Sequence, residues 1–239
     1  MAEITNEQAI ADWSNAPREL LDNFGDEGDF ARQHLLNPAI FALLGDVRDK
    51  RILDAGCGQG YLSRLLARKG AIVTSIEPAQ MLYQYADERE QAEHLGITYM
   101  QADLSSPNNL ANIFDYVVAN MVFMDIPDYQ AAMRHCIAAL KPGGGLIFSI
   151  LHPCFDEPES EWASKGCVEV REYFQEYAVP QKSFGYFFHR TLSSYLNLVI
   201  REKCIIHEII EPQLDEALAE AWPRAVHVPS FMVVHATRN

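Results

Sequence analysis

From residue 50 onward, short apolar or β-branched runs alternate with segments whose apolar residues recur at helical spacing. Strands are predicted at residues 51–54, 71–76, 97–100, 114–119 and 146–151. Consecutive parallel strands need crossover helices, and right-handed crossovers place these helices over both faces of the sheet. The alternation therefore predicts an α/β fold built around a parallel sheet that is covered on both sides.

Two segments interrupt the alternation. Residues 1–46 contain two or three helical patterns and predict an N-terminal helical cap, which precedes a core of residues 47–151. Residues 152–188 are rich in aromatic side chains. They predict either a cover over a substrate pocket or an ordinary apolar cluster beneath a long loop. Residues 189–239 return to the pattern, with a helix and two strands that complete the core sheet.

The charge of the chain limits its expected partners. Its 19 Lys and Arg against 33 Asp and Glu give a net charge of −14. Because Lys and Arg drive binding to phosphate backbones, neither nucleic acid nor an anionic membrane is expected as a partner. There is no apolar stretch of about 18 residues and no secretory signal, which predicts a cytoplasmic chain. The five cysteines form no C-x-x-C pair, and no metal-ligand spacing is present, so no metal is expected.

The strongest local motif is a glycine loop between the first predicted strand and a helix. It reads Leu-Asp-Ala-Gly-Cys-Gly-Gln-Gly over residues 53–60. Glycine lets a ligand approach the backbone without meeting a Cβ atom. Tyr61 stands where a dinucleotide fingerprint has its third glycine, which disfavours a nicotinamide-dependent oxidoreductase. Asp54 supplies a carboxylate suited to a ligand with a sulfonium centre and a free ammonium group.

With this loop, the chain resembles the class I S-adenosylmethionine-dependent methyltransferases, whose first motif commonly reads D-x-G-C-G-x-G. Later pieces agree in order. Glu77 ends the second predicted strand, Asp103 follows the third, and the fourth and fifth strands carry the runs FDYVVAN and LKPGGGL. The resemblance implies a Rossmann-like sheet of seven mostly parallel strands, with helices on both faces and the last strand antiparallel.

The resemblance also implies a site for S-adenosylmethionine, with S-adenosylhomocysteine as the product. Glu77 is expected to accept hydrogen bonds from both ribose hydroxyls, and Asp103 from the adenine amino group. The other expected cofactor-binding residues are Asp54, Gly56, Cys57, Gly58, Gly60, Pro78, Met81, Leu104, Asn120 and Met121. Each acid also has a purely structural interpretation: Asp54 and Asp103 suit turn or helix caps, and Glu77 suits a solvated strand end.

The acceptor is expected beyond the fourth and fifth strands, where similar enzymes bind it. His152 follows the fifth strand directly and is the first choice for a general base or an acceptor-orienting group, with His189 as the second. A histidine that only fixes its loop is an alternative interpretation. The acceptor pocket is predicted to contain Trp13, Phe123, Phe155 and Tyr186.

The sequence therefore predicts a monomeric or homodimeric enzyme that moves a methyl group to a small molecule by in-line displacement. Oxygen or nitrogen is a more expected acceptor atom than carbon or sulfur. Two alternatives stay open: a non-catalytic protein that binds S-adenosylmethionine or S-adenosylhomocysteine, and a methyltransferase that acts on a protein or nucleic acid. The fold does not choose among them, because one scaffold serves many acceptors.

Overall fold

A computed structural model of the chain describes residues 4–155, 159–181 and 185–239. Its strands are β1 (Arg51–Ala55), β2 (Ile72–Ile76), β3 (Thr98–Met100), β4 (Phe114–Asn120), β5 (Leu140–Leu151), β6 (Tyr177–Pro180), β7 (Tyr186–His189), β8 (Cys204–Ile210) and β9 (Phe231–Arg238). Seven of them form one sheet in the order β3-β2-β1-β4-β5-β9-β8. Neighbours from β3 through to β5 are parallel, whereas β9 runs antiparallel to both β5 and β8. The predicted sheet, with its antiparallel last strand, is confirmed.

Helices cover both faces of this sheet. The α-helices of the described residues are α1 (Asn6–Ser14), α2 (Arg18–Asn23), α3 (Asn37–Leu44), α4 (Tyr61–Arg68), α5 (Gln80–Glu93), α6 (Tyr129–Ala139), α7 (Glu159–Lys165), α8 (Leu192–Arg201) and α9 (Arg224–His227). The apolar sides of α6 and α8 pack on one face, and those of α3, α4 and α9 pack on the other. Burial of these two apolar layers is the main source of stability in such a fold. Within the described ranges, no helix is long and apolar enough to cross a membrane.

The N-terminal segment divides between the sheet and the space above its edge. Ile40 and Leu44 of α3 lie in the apolar layer beneath the sheet, so this helix belongs structurally to the core. α1 instead begins at a capping box, in which Thr5 and Gln8 exchange hydrogen bonds between side chain and backbone. The predicted cap of residues 1–46 thus contains one helix of the core.

α1 is attached to the core at both ends. At its start, the Asn6 side chain donates to Ser105 Oγ and accepts the N–H of Asp128 at 2.9 Å. At its end, Ser14 Oγ accepts the N–H of Gln80 at 3.1 Å. These bonds hold α1 across the loops that follow β2, β3 and β4.

The segment after β5 is more regular than its composition indicated. It contains α7 and the β6–β7 hairpin, in which the rings of Tyr177 and His189 stack with centroids 4.8 Å apart. Residues 156–158 and 182–184 of the predicted 152–188 insertion lie outside the described residues. β5 also begins six residues earlier than predicted, at Leu140, which pairs with Phe114 of β4. Gly145 pairs with Tyr116, so the extra residues of this irregularity lie in the glycine-rich start of β5.

Candidate active site

A cavity of about 170 Å³ lies at the carboxyl ends of β1 to β4. The strand order reverses between β1 and β4, and open α/β sheets bind ligands at such a switch point. The N-terminal segment forms the opposite wall. Its contributions are Asn6, Ala9, Ile10, Trp13, Leu21, Phe24 and Arg32.

The glycine loop presents bare backbone to this cavity. Gly56 has φ +71°, and a Cβ built there would lie 2.6 Å from Val122 Cγ1. Gly58 has φ +57°, and its Cβ would meet no atom within 4 Å. The amides of Gly56 and Cys57 both donate to the carbonyl of Ile76, at 2.8 and 3.0 Å. The loop is thus fixed to the end of β2 and leaves space for a ligand beside Gly58.

Glu77 is the buried acid that closes the end of β2. Its Oε2 accepts the N–H of Gly58 and its Oε1 accepts the N–H of Ala79, both at 2.9 Å. Burial raises the pKa of this carboxyl to about 7, and the nearby Asp54 adds to the rise. Each carboxylate oxygen can accept more than one hydrogen bond, so Glu77 keeps acceptor capacity toward the cavity that it lines. A buried acceptor at a switch point fits a ribose diol.

Asp103 also lines the cavity, and it organises its own turn as well. Its Oδ1 accepts the N–H of Ser105 at 2.8 Å, and its Oδ2 accepts the Ser105 hydroxyl at 2.6 Å. The same serine accepts the Asn6 amide, so the turn links Asp103 to α1. The structural and the ligand-binding interpretations of Asp103 are therefore compatible.

Of the residues predicted to bind the adenine end of the cofactor, some line the cavity and one does not. Pro78 and Leu104 line the cavity. Met81 does not: it packs beside the small cluster in which Leu21 and Leu82 are buried. Leu82 lines the cavity in its place, because the helical turn of α5 directs the next side chain toward the ligand space.

Asp54 lies beneath the glycine loop rather than in the cavity wall. Its Oδ2 accepts the Ser63 hydroxyl at 2.6 Å, and Ser75 in turn donates to Ser63 Oγ at 2.9 Å. Direct contact with a ligand ammonium group, as expected from the sequence, is therefore not what the geometry shows, because the carboxyl is turned toward α4. Gly60, the left-handed N-cap residue before α4, is likewise absent from the described cavity wall.

The buried Asp54 predicts a pH-dependent stability. Burial raises the pKa of this carboxyl to about 6 from 3.8, so the folded state holds the proton more tightly than the unfolded state. The resulting stabilisation is complete below pH 4 and is lost as the pH rises through 6. Between pH 3 and pH 7, which span this window, the free energy of unfolding of the wild type should fall by about 3 kcal/mol relative to Asp54→Asn. Urea denaturation at both pH values measures this; parallel curves for the two proteins would contradict it.

A chain of side-chain hydrogen bonds connects the start of α4 with the end of β4. Tyr61 OH donates to Asn37 Oδ1 at 3.1 Å and accepts the Asn120 amide at 2.6 Å. Asn120 Oδ1 accepts the Ser149 hydroxyl at 2.6 Å. Asn120 and Met121 line the cavity, as the sequence predicted, and Met121 has a left-handed backbone with φ +61°. The role of Asn37 had no signal in the sequence.

The segment after β4 is supported by a buried arginine that sequence reasoning missed. The Arg190 guanidinium donates to the carbonyls of Phe123, Ile126 and Pro127 at 2.9–3.1 Å. It also lies 4.2 Å from the centroid of the Tyr129 ring. This bracing holds residues 121–127 against the cavity. A cation within an aromatic run is the sequence signal that indicates such a role.

Neither predicted catalytic histidine is in the described cavity wall. His152 Nε2 lies 2.7 Å from Glu211 Oε1, and its Nδ1 accepts the N–H of Cys154 at 3.2 Å. His189 Nε2 lies 3.1 Å from the carbonyl of Tyr173. Both are buried and held in loop contacts. The geometry supports the alternative interpretation, in which these histidines fix loops.

Of the aromatic residues predicted for the acceptor pocket, one lines the cavity and three lie elsewhere. Trp13 lines the cavity. Phe123 is fully buried in the core beside Phe148, with ring centroids 5.6 Å apart, and Phe155 lies against the His152 ring. Tyr186 belongs to β7 and is not in the described cavity wall. Among the described residues of the hairpin region, Gly185 lies beside this wall, where a Cβ on it would be 3.4 Å from Trp13 Nε1.

Comparison with known proteins agrees with this geometry. Residues 10–198 match a family model described as a methyltransferase domain. A ubiquinone biosynthesis O-methyltransferase of Coxiella burnetii is 32% identical over 152 residues, which cover 59% of this chain and 65% of that protein. This chain thus matches somewhat less than two thirds of that relative's length.

Solved structures show the same architecture. An S-adenosylmethionine-dependent methyltransferase from Mesorhizobium loti superposes with a TM-score of 0.72 at 28% identity, covering 84% of this chain and 96% of that one. Magnesium protoporphyrin IX methyltransferase from Synechocystis, solved with bound S-adenosylmethionine, has a TM-score of 0.64 at 16% identity and covers both chains fully, which shows the shared fold. The chain therefore belongs to the methyltransferase domain family, among the class I S-adenosylmethionine-dependent methyltransferases.

Proposed function

We propose that the cavity binds S-adenosylmethionine and that the enzyme transfers its methyl group to an oxygen atom of a small molecule. The observation that carries this proposal is the buried Glu77 carboxylate beside the bare backbone of Gly58, at the switch point of the sheet. The O-methyltransferase names of the curated relatives support oxygen as the acceptor atom.

The residues of the site fit the cofactor. In this proposal Glu77 accepts the ribose hydroxyls, Asp103 faces the adenine end, and the backbone of Gly56 to Gly58 lies along the amino-acid end. When bound, the cofactor supplies a methyl group on an electron-poor sulfonium centre. Asp54 acts indirectly in this proposal, by holding Ser63 and the start of α4 beneath the loop.

The chain's main contribution to the reaction is alignment and exclusion of water. The apolar side chains of Ile10, Trp13 and Leu21 wall the cavity opposite the glycine loop. Because the bonds of Asn6 and Ser14 fix α1 at both ends, this wall is in place before the acceptor enters. Holding two reactants in line in a dry cavity removes much of the entropic barrier to displacement. We assign the N-terminal segment up to Arg32 as the cover, with Gln181 and Gly185 of the predicted insertion beside it.

The proposal is tested with S-adenosylmethionine carrying a labelled methyl group. Catechol, aniline, a denatured protein mixture and total RNA serve as four separate acceptors. We expect label in catechol, as a methyl ether, and none in the other three. Label in RNA or protein, or only in aniline, would contradict the assignment to a small-molecule oxygen. Tight binding of the cofactor without transfer to any acceptor would favour the non-catalytic alternative.

A further inference from the structure

The cavity needs a group that takes the proton of an acceptor hydroxyl, and its described wall offers few. Its ionisable residues are Arg32, Cys57, Tyr61, Glu77, Asp103 and Asp125. Arg32 has no acceptor atom. Burial raises the pKa values of the Cys57 thiol and the Tyr61 phenol well above their usual ranges, so both stay protonated near neutral pH and have no basic form to offer.

Three carboxyls are left, and two of them are committed elsewhere. Glu77 binds the amides of Gly58 and Ala79 at the end of β2. Asp103 binds Ser105 in the turn after β3. Both follow β2 or β3, in the part of the site that the proposed function gives to the cofactor. Asp125 instead follows β4, in the short 3-10 helix Phe123–Asp125.

The backbone at Asp125 is held by several hydrogen bonds, while its carboxyl keeps free capacity to accept others. Its backbone N–H donates to the carbonyl of Val122 at 2.8 Å, and the flanking carbonyls of Phe123 and Ile126 are bound by Arg190. Gln181 of the hairpin region donates to its Oδ1 at 3.4 Å, a long and weak bond. The rigid backbone fixes where the carboxyl stands, and its oxygens retain lone pairs for a ligand.

Charged groups surround Asp125 from several elements. Burial raises the pKa of this carboxyl, the nearby Glu77 adds to the rise, and the cations Arg32 and Arg190 oppose it. Tyr195 of α8 faces it as well, and burial raises the pKa of that phenol to about 12. A carboxyl that binds its proton more tightly than usual is a stronger base once it is ionised.

The cavity wall to which Asp125 belongs also presents apolar and flat side chains. They are Trp13, Phe24, Val122, Ile126 and Pro127. Such a wall fits an aromatic ring, with Asp125 as the polar group that orients it. An aromatic hydroxyl is also acidic enough for a single carboxylate to take its proton during the reaction.

We propose that Asp125 is the proton acceptor of the reaction and that the acceptor is an aromatic hydroxyl, an inference that rests on the proposed function. As the acceptor oxygen forms its bond to the methyl carbon, the carbon–sulfur bond breaks and its electron pair stays on sulfur. The hydroxyl proton passes to an Asp125 carboxylate oxygen, which later releases it to water. The products are a methyl ether and the neutral thioether, so charge and atoms balance.

The test compares wild type, Asp125→Asn and Asp128→Asn with catechol and the more acidic 4-nitrocatechol as acceptors. Asp128 is exposed and caps α6 through its bond to the Ala131 N–H, a role that asparagine also fills. Calorimetry first measures S-adenosylhomocysteine binding to each protein, then binding of each phenol to the loaded protein. Turnover is followed between pH 5 and 9.

We expect all three proteins to bind S-adenosylhomocysteine equally. Asp125→Asn should bind catechol about tenfold more weakly. It should also lose roughly 100-fold in kcat for catechol, and less for 4-nitrocatechol, whose proton leaves more readily. Wild-type and Asp128→Asn turnover should fall as the pH drops through the Asp125 pKa, and this acidic limb should vanish in Asp125→Asn.

The proposal is overturned if Asp125→Asn binds and methylates catechol like the wild type, or if its losses are the same for both phenols. Failure of the loaded wild type to bind either phenol would overturn the acceptor class. Failure of the wild type to bind S-adenosylhomocysteine at all is a different result, which removes the proposed function itself.

Discussion

Replacing Glu77 with alanine is expected to weaken S-adenosylhomocysteine binding roughly 10- to 150-fold. The estimate is the effect of losing a hydrogen bond to a charged group, about 1.5–3 kcal/mol. The substitution also leaves the amides of Gly58 and Ala79 without their acceptor. The ligand therefore loses a hydrogen-bond partner, and the glycine loop loses the bond that holds Gly58 in place. Isothermal calorimetry of both proteins measures the change in Kd.

Two further variants distinguish the loss of a ligand contact from a general effect of removing an acid. Glu77→Gln keeps one oxygen to accept an amide, and should recover part of the affinity. Glu208→Ala removes an exposed acid from β8, at the far edge of the sheet, and should bind as the wild type does. Equal affinity of Glu77→Ala and wild type would remove Glu77 from the site.

Gly56→Ala is expected to destabilise the protein by about 2–5 kcal/mol and to abolish cofactor binding. The left-handed backbone at φ +71° costs a side-chain-bearing residue about 1–2 kcal/mol. The new Cβ would also overlap the Val122 side chain at 2.6 Å, and overpacking of this kind costs about 1–3 kcal/mol. Urea denaturation gives the first quantity, and calorimetry gives the second.

Gly96→Ala is the matched control, because Gly96 has φ +81° but a Cβ there would meet no atom within 4 Å. It is exposed and lies in the loop before β3. This variant should lose only about 1–2 kcal/mol and keep its affinity. If both alanine variants lost the same stability, the close approach of Val122 to the glycine loop would have no energetic consequence.

The parts of the site nearest the glycine loop were predictable from sequence. Glycine spacing and acids at strand ends are local signals, and they indicated Gly56, Gly58, Glu77 and Asp103, all of which line the cavity. Side-chain direction is less local. The carboxyl of Asp54 two residues before Gly56 is turned toward Ser63, which only the packing of α4 on the sheet determines.

The acceptor side of the site was poorly predictable because it is assembled from distant segments. Asn6 reaches Ser105 and Asp128 across about a hundred residues of chain, and Arg190 reaches the carbonyls after β4. No periodic pattern records such contacts. The sequence favoured His152 as a base because histidine ordinarily titrates near neutral pH. The loop geometry instead directs that ring toward Glu211.

Titration of S-adenosylhomocysteine and NAD⁺ into the wild-type protein and Glu77→Ala tests the central claim most directly. The account predicts that the wild type binds one S-adenosylhomocysteine per chain and no NAD⁺, with the weaker affinity described above for Glu77→Ala. Binding of NAD⁺ in place of S-adenosylhomocysteine, or affinities that ignore the loss of the Glu77 carboxylate, would contradict it.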